Sequence, residues 1–217
     1  MSQIIDSNSL YADIKKSTFS PLIQNYLNSV HAIIELSSRF IINELNEVRK
    51  DGEAAVDVFL SELECDQDYK KGLLKNHSVT PLMGDQILAF PNGQKIVIDP
   101  IQLARYLLHN QERMIENNFR QVEYMIITAY ALTEGKYRNN DPLWQFFRHV
   151  RNAAAHGGKF NLQRNQPDKP AEWGEKRIER GLNGKRLVSF IGQEGFLETG
   201  EIILLLLSVE EKFNIVL

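Results

Sequence analysis

Two long segments carry apolar residues at spacings of three and four, with a few skips. That period is the repeat of an amphipathic helix. In the first, after Pro21, the stripe is Leu22, Tyr26, Val30, Ile33, Ile34, Phe40, Ile41, Leu45 and Val48. Asp51-Gly52 stops it, and a shorter helix is expected from about Glu53 to Leu63. The second opens at Asp99-Pro100, an N-cap followed by a proline at the first helical position. Its stripe is Leu103, Leu107, Ile115, Phe119, Val122, Met125, Ile126, Ala129 and Leu132, and Gly135 is expected to end it near Thr133. Residues between Cys65 and Leu82 are ambiguous and are read as a helical turn or two.

The same start signal recurs at Asp141-Pro142. The segment PLWQFFRHVRNAAAHGG follows, with Leu143, Phe146, Phe147 and Val150 as its apolar face and Gly157-Gly158 as a left-handed stop. A last helix is expected from Thr199 to about Phe213. Two short hairpins interrupt the helices. One pairs QILAF with KIVI across Pro91-Asn92-Gly93, between Gln86 and Ile98. The other is expected to pair 173–178 with 185–190 across Leu182-Asn183-Gly184. Residues 1–20 are polar and mixed, and read as an N-terminal arm. Residues 21–217 read as one domain: a mainly α helical bundle with two small β-hairpins.

Composition narrows the chemistry. The 217 residues are 43% hydrophobic and 24% charged, which is ordinary for a folded soluble domain. Cys65 is the single cysteine, so an intrachain disulfide and a cysteine-based zinc cluster are excluded. Acids flank it at Glu62, Glu64, Asp66 and Asp68, which disfavours a thiolate nucleophile. The lone cysteine fits a reducing, cytoplasmic setting, which is the expected location, and the start lacks the form of a secretory signal. The longest apolar run, Ile202 to Leu207, is too short to span a bilayer. There is no P-loop, no His-Glu-x-x-His helix and no Gly-x-Ser-x-Gly elbow. His149 and His156 are neighbours but lack further ligands, so neither a metal nor a cofactor is expected.

The formal charge is −3, yet it is unevenly spread. Lys136, Arg138, Arg148, Arg151, Lys159 and Arg164 face one acid, Asp141, over that stretch. Such a zone can attract a polyanion, or can be a solvated face. Within it, Arg148, Asn152 and His156 are four residues apart and stack along one side of a helix, with Arg151 beside them. Ala153, Ala154 and Ala155 are small enough to let a second helix or a substrate backbone approach. His156 falls in the last turn, where the helix dipole favours positive charge. A guanidinium such as that of Arg151 presents a fork matched to phosphate. An imidazole can take a proton from a ribose 2′-hydroxyl or give one to a leaving 5′-oxygen. Asn152 can position the phosphate or the ring. Lys159 and Arg164 could hold flanking phosphates, and Arg148 could line the site. The residues alone also admit a structural reading. A histidine before two glycines commonly ends a helix, and a mid-helix arginine is commonly a surface partner.

The segment RNAAAHGG resembles the Arg-x4-6-His motif of the HEPN superfamily, in the form with a polar residue directly after the arginine. The aromatic, basic lead-in (Trp144, Phe146, Phe147, Arg148), a preceding long helix pair and a closing helix are similar too. The resemblance is specific over about 141–160 and looser over 101–213. It implies a HEPN-like helical bundle with Arg151 and His156 as the catalytic pair and Asn152 as their polar neighbour. It further implies a homodimer with a composite site, and metal-independent RNA cleavage that leaves a 2′,3′-cyclic phosphate. Members act in phage defence or in toxin–antitoxin systems, where an antitoxin or other protein partner is expected. Others are non-catalytic modules that bind RNA, a nucleotide or a protein. Toxins silenced by tyrosine modification carry that tyrosine two residues after the histidine. Gly158 stands there in this chain, so that control is not expected. A dimer also has a chemical motive: transesterification needs an acid and a base, and a two-fold axis beside His156 supplies a second imidazole.

Overall fold

The computed structural model describes residues 7–62, 86–89, 95–98, 106, 110–137, 140–189 and 194–215. The fold is mainly helical with two small antiparallel sheets. In chain order the elements are α1 (Ser7–Lys16), α2 (Ser20–Val48), a 3-10 turn (Arg49–Asp51), α3 (Glu53–Glu62), β1 (Gln86–Ala89), β2 (Lys95–Ile98) and α4 (Gln111–Tyr137). Then come α5 (Pro142–Ala155), β3 (Glu172–Trp173), β4 (Lys176–Arg177), a second 3-10 turn (Arg180–Leu182) and α6 (Thr199–Phe213). Among the described residues no helix is long and apolar enough to cross a membrane.

The chain divides into two compact units, where the sequence pattern suggested one domain after residue 20. One comprises Met1–Asn28 with Ile115–Leu217; the other is Ser29–Met114. In the second unit Leu45 of α2 packs with Val56 and Leu60 of α3, flanked by Ile41, Ile42, Val48 and Phe59. Gly52 makes the reversal between the two helices at φ 101°, a conformation that few other residues adopt. The two short apolar runs pair as expected, Gln86 with Ile98 and Ala89 with Lys95. The Pro91-Asn92-Gly93 turn, the 65–82 stretch and the Asp99-Pro100 helix start lie outside the described residues.

The first unit holds the larger core. From α4 it takes Phe119, Val122, Met125, Ile126, Ala129 and Tyr130. From α5 it takes Leu143, Trp144, Phe146, Phe147, Val150, Ala153 and Ala154, and from α6 Ile202, Ile203, Leu205, Leu206 and Val209. Trp144 joins three elements, edge-on to Phe147, tilted against Tyr130 at 5.5 Å and edge-on to Phe213 at 5.4 Å. Phe146 meets Trp173 of β3. The indole N–H of Trp173 donates to Ser208 of α6 at 3.2 Å.

Four expectations change. The N-terminal arm is a helix tied down by buried Ile14 and Phe19, because Glu210 of α6 accepts hydrogen bonds from Ser17 and Thr18. Gly135 does not end α4, which continues to Tyr137. One glycine costs a helix only about 1 kcal/mol, too little to stop one already anchored by a buried face. Ile34 and Leu132 belong to the helical period but are exposed. The second hairpin turns at Gly174-Glu175, pairing Glu172 with Arg177 and Trp173 with Lys176. Gly174 takes φ 58° there and allows a two-residue reversal. The strand expected at 185–190 instead pairs elsewhere. Lys159 bridges Arg186 antiparallel, and Val188 bridges Leu197 in parallel.

Candidate functional site

The Asp141 carboxylate caps α5, accepting from the Leu143 N–H at 2.9 Å, and also holds Lys212 of α6 at 2.7 Å. This fixes the entry of the helix. Its exit is fixed by the two glycines. The His156 N–H reaches the Asn152 carbonyl at 3.0 Å, and the Gly158 N–H reaches back to the Ala153 carbonyl at 3.0 Å. Gly157 and Gly158 lie at φ 75° and 73°. Together these close a Schellman-type stop, as the sequence indicated. Gly158 carries a second constraint. A Cβ there would lie 2.3 Å from a carboxylate oxygen of Glu123, whose other oxygen is held by Arg120 at 2.9 Å.

Between those ends the sequence candidates separate into different environments. His156 is exposed at the C-cap, and Arg151 and Asn152 are half-buried. The Arg151 Nη1 donates to Asn152 Oδ1 at 3.1 Å, and the guanidinium lies over the Tyr130 ring at 5.5 Å. A ring face and an amide hold its orientation without cancelling its charge. The Arg151 Nε is buried and has no hydrogen-bond partner. No carboxylate among the described residues pairs with Arg151.

Arg148 differs. Its Nη2 donates to Asp168 at 2.7 Å and lies 3.3 Å from His149 Nε2. That ion pair holds the Asp168 carboxyl below its ordinary range. It also leaves Arg148 less charge to offer a substrate phosphate. His149 is 1% exposed. Burial first, and the adjacent Arg148 charge second, push its imidazole down to about 4. His149 is thus a neutral interior ring, while His156 faces water. Lys159 is exposed beyond the stop, and Arg164 is exposed in the loop that follows. Ala153 and Ala154 are core residues, so of the three alanines only Ala155 is exposed to an approaching chain. Trp144, Phe146 and Phe147 are likewise in the core, out of reach of stacking bases.

Tyr130, Asp168 and Arg186 were not singled out from the sequence. Tyr130 occupied an ordinary core period of α4. Asp168 lay in a polar loop, and Arg186 in a segment read as a hairpin strand. No local pattern marked any of them.

Compared with known proteins, the chain matches no family model, no curated protein and no solved structure.

Proposed function

We propose that the chain is a metal-independent endoribonuclease of HEPN type that works as a homodimer. His156 acts as general acid or base on the ribose 2′-hydroxyl and the leaving 5′-oxygen. Arg151 stabilises the charge on the pentavalent phosphorus, and Asn152 holds Arg151 in place. The observation that carries this reading is the contrast between the two arginines of α5. Arg148 is neutralised by Asp168, whereas Arg151, five residues before the exposed His156, is oriented by Tyr130 and Asn152 and keeps its charge. A phosphodiester is the ligand that such a fork and imidazole suit. A role in phage defence or in a toxin–antitoxin system, in the cytoplasm and with a neutralising protein partner, belongs to the same proposal.

The test is cleavage of RNA in EDTA, followed by detection of 2′,3′-cyclic phosphate ends. Wild type should cut and His156→Ala should not. Equal products from both proteins, or none from wild type on any RNA class, overturns the catalytic reading. RNA binding without cyclic-phosphate products favours a non-catalytic HEPN-like module. Sedimentation at high concentration tests the dimer, and a uniform monomer removes it.

A further inference from the structure

Beyond the helix stop, the chain places two cations against each other. The Leu187 N–H donates to the Gly158 carbonyl at 2.8 Å, and the Phe160 N–H donates to the Lys185 carbonyl at 3.0 Å. These two bonds flank the antiparallel bridge between Lys159 and Arg186. The pair is therefore of the non-hydrogen-bonded kind, in which the Cα atoms lie closest, at about 4.5 Å, and both side chains leave on the same side. Like charges so placed repel and cost stability. Neither Lys159 nor Arg186 has a carboxylate partner among the described residues. The guanidinium of Arg186 is instead held 4.8 Å from the centroid of the Phe119 ring, and Phe119 is buried in α4. The ring orients the cation without neutralising it.

We infer that Lys159 and Arg186 form a clamp for a second phosphate of the RNA, next to the one cleaved. This deepens the ribonuclease reading and rests on it for the identity of the polyanion. Lys159 follows His156 by three residues, so the two Cα atoms are within about 11 Å. The clamp is thus near enough to His156 to take a phosphate next to the one cleaved. One phosphodiester between the two side chains removes their repulsion. The energy lost in the unliganded fold is then regained only when the strand is in place. Arg186 is 31 residues past the end of α5 in sequence, and the bridge at Lys159 brings it next to the motif helix.

The experiment measures binding of a single-stranded 2′-O-methyl RNA, which lacks the nucleophilic hydroxyl and so binds without being cut. Wild type is compared with Lys159→Glu and Arg186→Gln across a salt series, and melting is followed without RNA. Each variant should bind more weakly, with the slope of log affinity against log salt shallower by about 0.7 for the lost phosphate contact. Lys159→Glu places an acid opposite Arg186, so its Tm should rise, by about 1–3 °C. Affinity and slope unchanged in both variants overturns the clamp, as does a wild type that binds no RNA. A lower Tm for Lys159→Glu also overturns it, since the cations then did not repel. Weakened variants together with a wild type that cuts no RNA leave the clamp standing and remove only the ribonuclease reading.

Discussion

The guanidinium of Arg151 lies 5.5 Å from the centroid of the Tyr130 ring, one helix pairing with the next through a cation and a π face. Tyr130 is itself buried, edge-on to Phe147 at 5.3 Å. The orientation of the proposed phosphate-binding group is therefore set by the core beneath it.

A graded series on this pair tests that dependence. Arg151→Ala should lower kcat/KM for RNA cleavage by about 10²–10³, the usual loss for one donor to a developing charge. Arg151→Lys should also fall well below wild type, because an ammonium cannot reproduce the fork. Tyr130→Phe keeps the ring face and should stay close to wild type. Tyr130→Leu should lose about tenfold, in line with a cation–π contact of roughly 1–2 kcal/mol. Steady-state cleavage rates of the four proteins decide it, with circular dichroism to confirm folding.

Acid should destabilise the protein through His149. Its folded imidazole titrates at about 4, below the ordinary 6.5. Between those values the unfolded chain binds a proton that the folded chain refuses. Stability therefore rises with pH across that window and is lost as pH falls through it. The full effect is about 3 kcal/mol. Denaturant midpoints at pH 7 and pH 5 should differ clearly for wild type. The difference should shrink for His149→Phe, which keeps a ring and cannot titrate. An undiminished difference in that variant would assign the acid sensitivity to other groups.

The two glycines after His156 are unequal. Both have positive φ, but a Cβ at Gly157 meets nothing within 4 Å, whereas one at Gly158 meets the Arg120-held carboxylate of Glu123. Gly157→Ala should cost about 1 kcal/mol from backbone strain alone. Gly158→Ala should cost about 2–3 kcal/mol, since the side chain of Glu123 must also move. Urea unfolding of both variants checks the order, and Glu123→Ala combined with Gly158→Ala should recover part of the larger loss.

Glu210 is the anchor of α1. Its carboxylate accepts from the Thr18 N–H and hydroxyl at 2.6 Å each and from the Ser17 hydroxyl, while the Thr18 hydroxyl also reaches the Ile215 carbonyl at 3.0 Å. Hydrogen bonds to a charged acceptor contribute about 1.5–3 kcal/mol. Glu210→Ala should free the N-terminal helix before the rest of its unit. Hydrogen exchange over 7–20, and trypsin cleavage at Lys15 and Lys16, should both become faster. Protection equal to wild type would mean that Ile14 and Phe19 suffice to hold the helix.

Much of this molecule was legible because it is local. The Asp141-Pro142 start of α5 depends on a side chain two residues from the N–H it caps. The Gly157-Gly158 stop depends on one turn of backbone. The long helices were visible in the period of their buried stripes, and the Gln86 to Ile98 hairpin in its two short apolar runs. The errors arose where local signals competed. Asn183-Gly184 and Gly174-Glu175 are both good turns, and buried Ile178 and Leu187 could have belonged to either arrangement. Pairing with Gly158 to Phe160 decided it, and that partner is distant in sequence.

Residue order alone therefore determined where α5 begins, where it ends, and that Arg151, Asn152 and His156 share its last two turns. The tertiary structure alone decided which cations keep their charge. Asp168 comes to Arg148, a ring comes to Arg151, and Lys159 comes face to face with Arg186. Helix period and capping act over a few bonds, whereas the compensation of a charge depends on whatever the fold brings within a few ångströms of it.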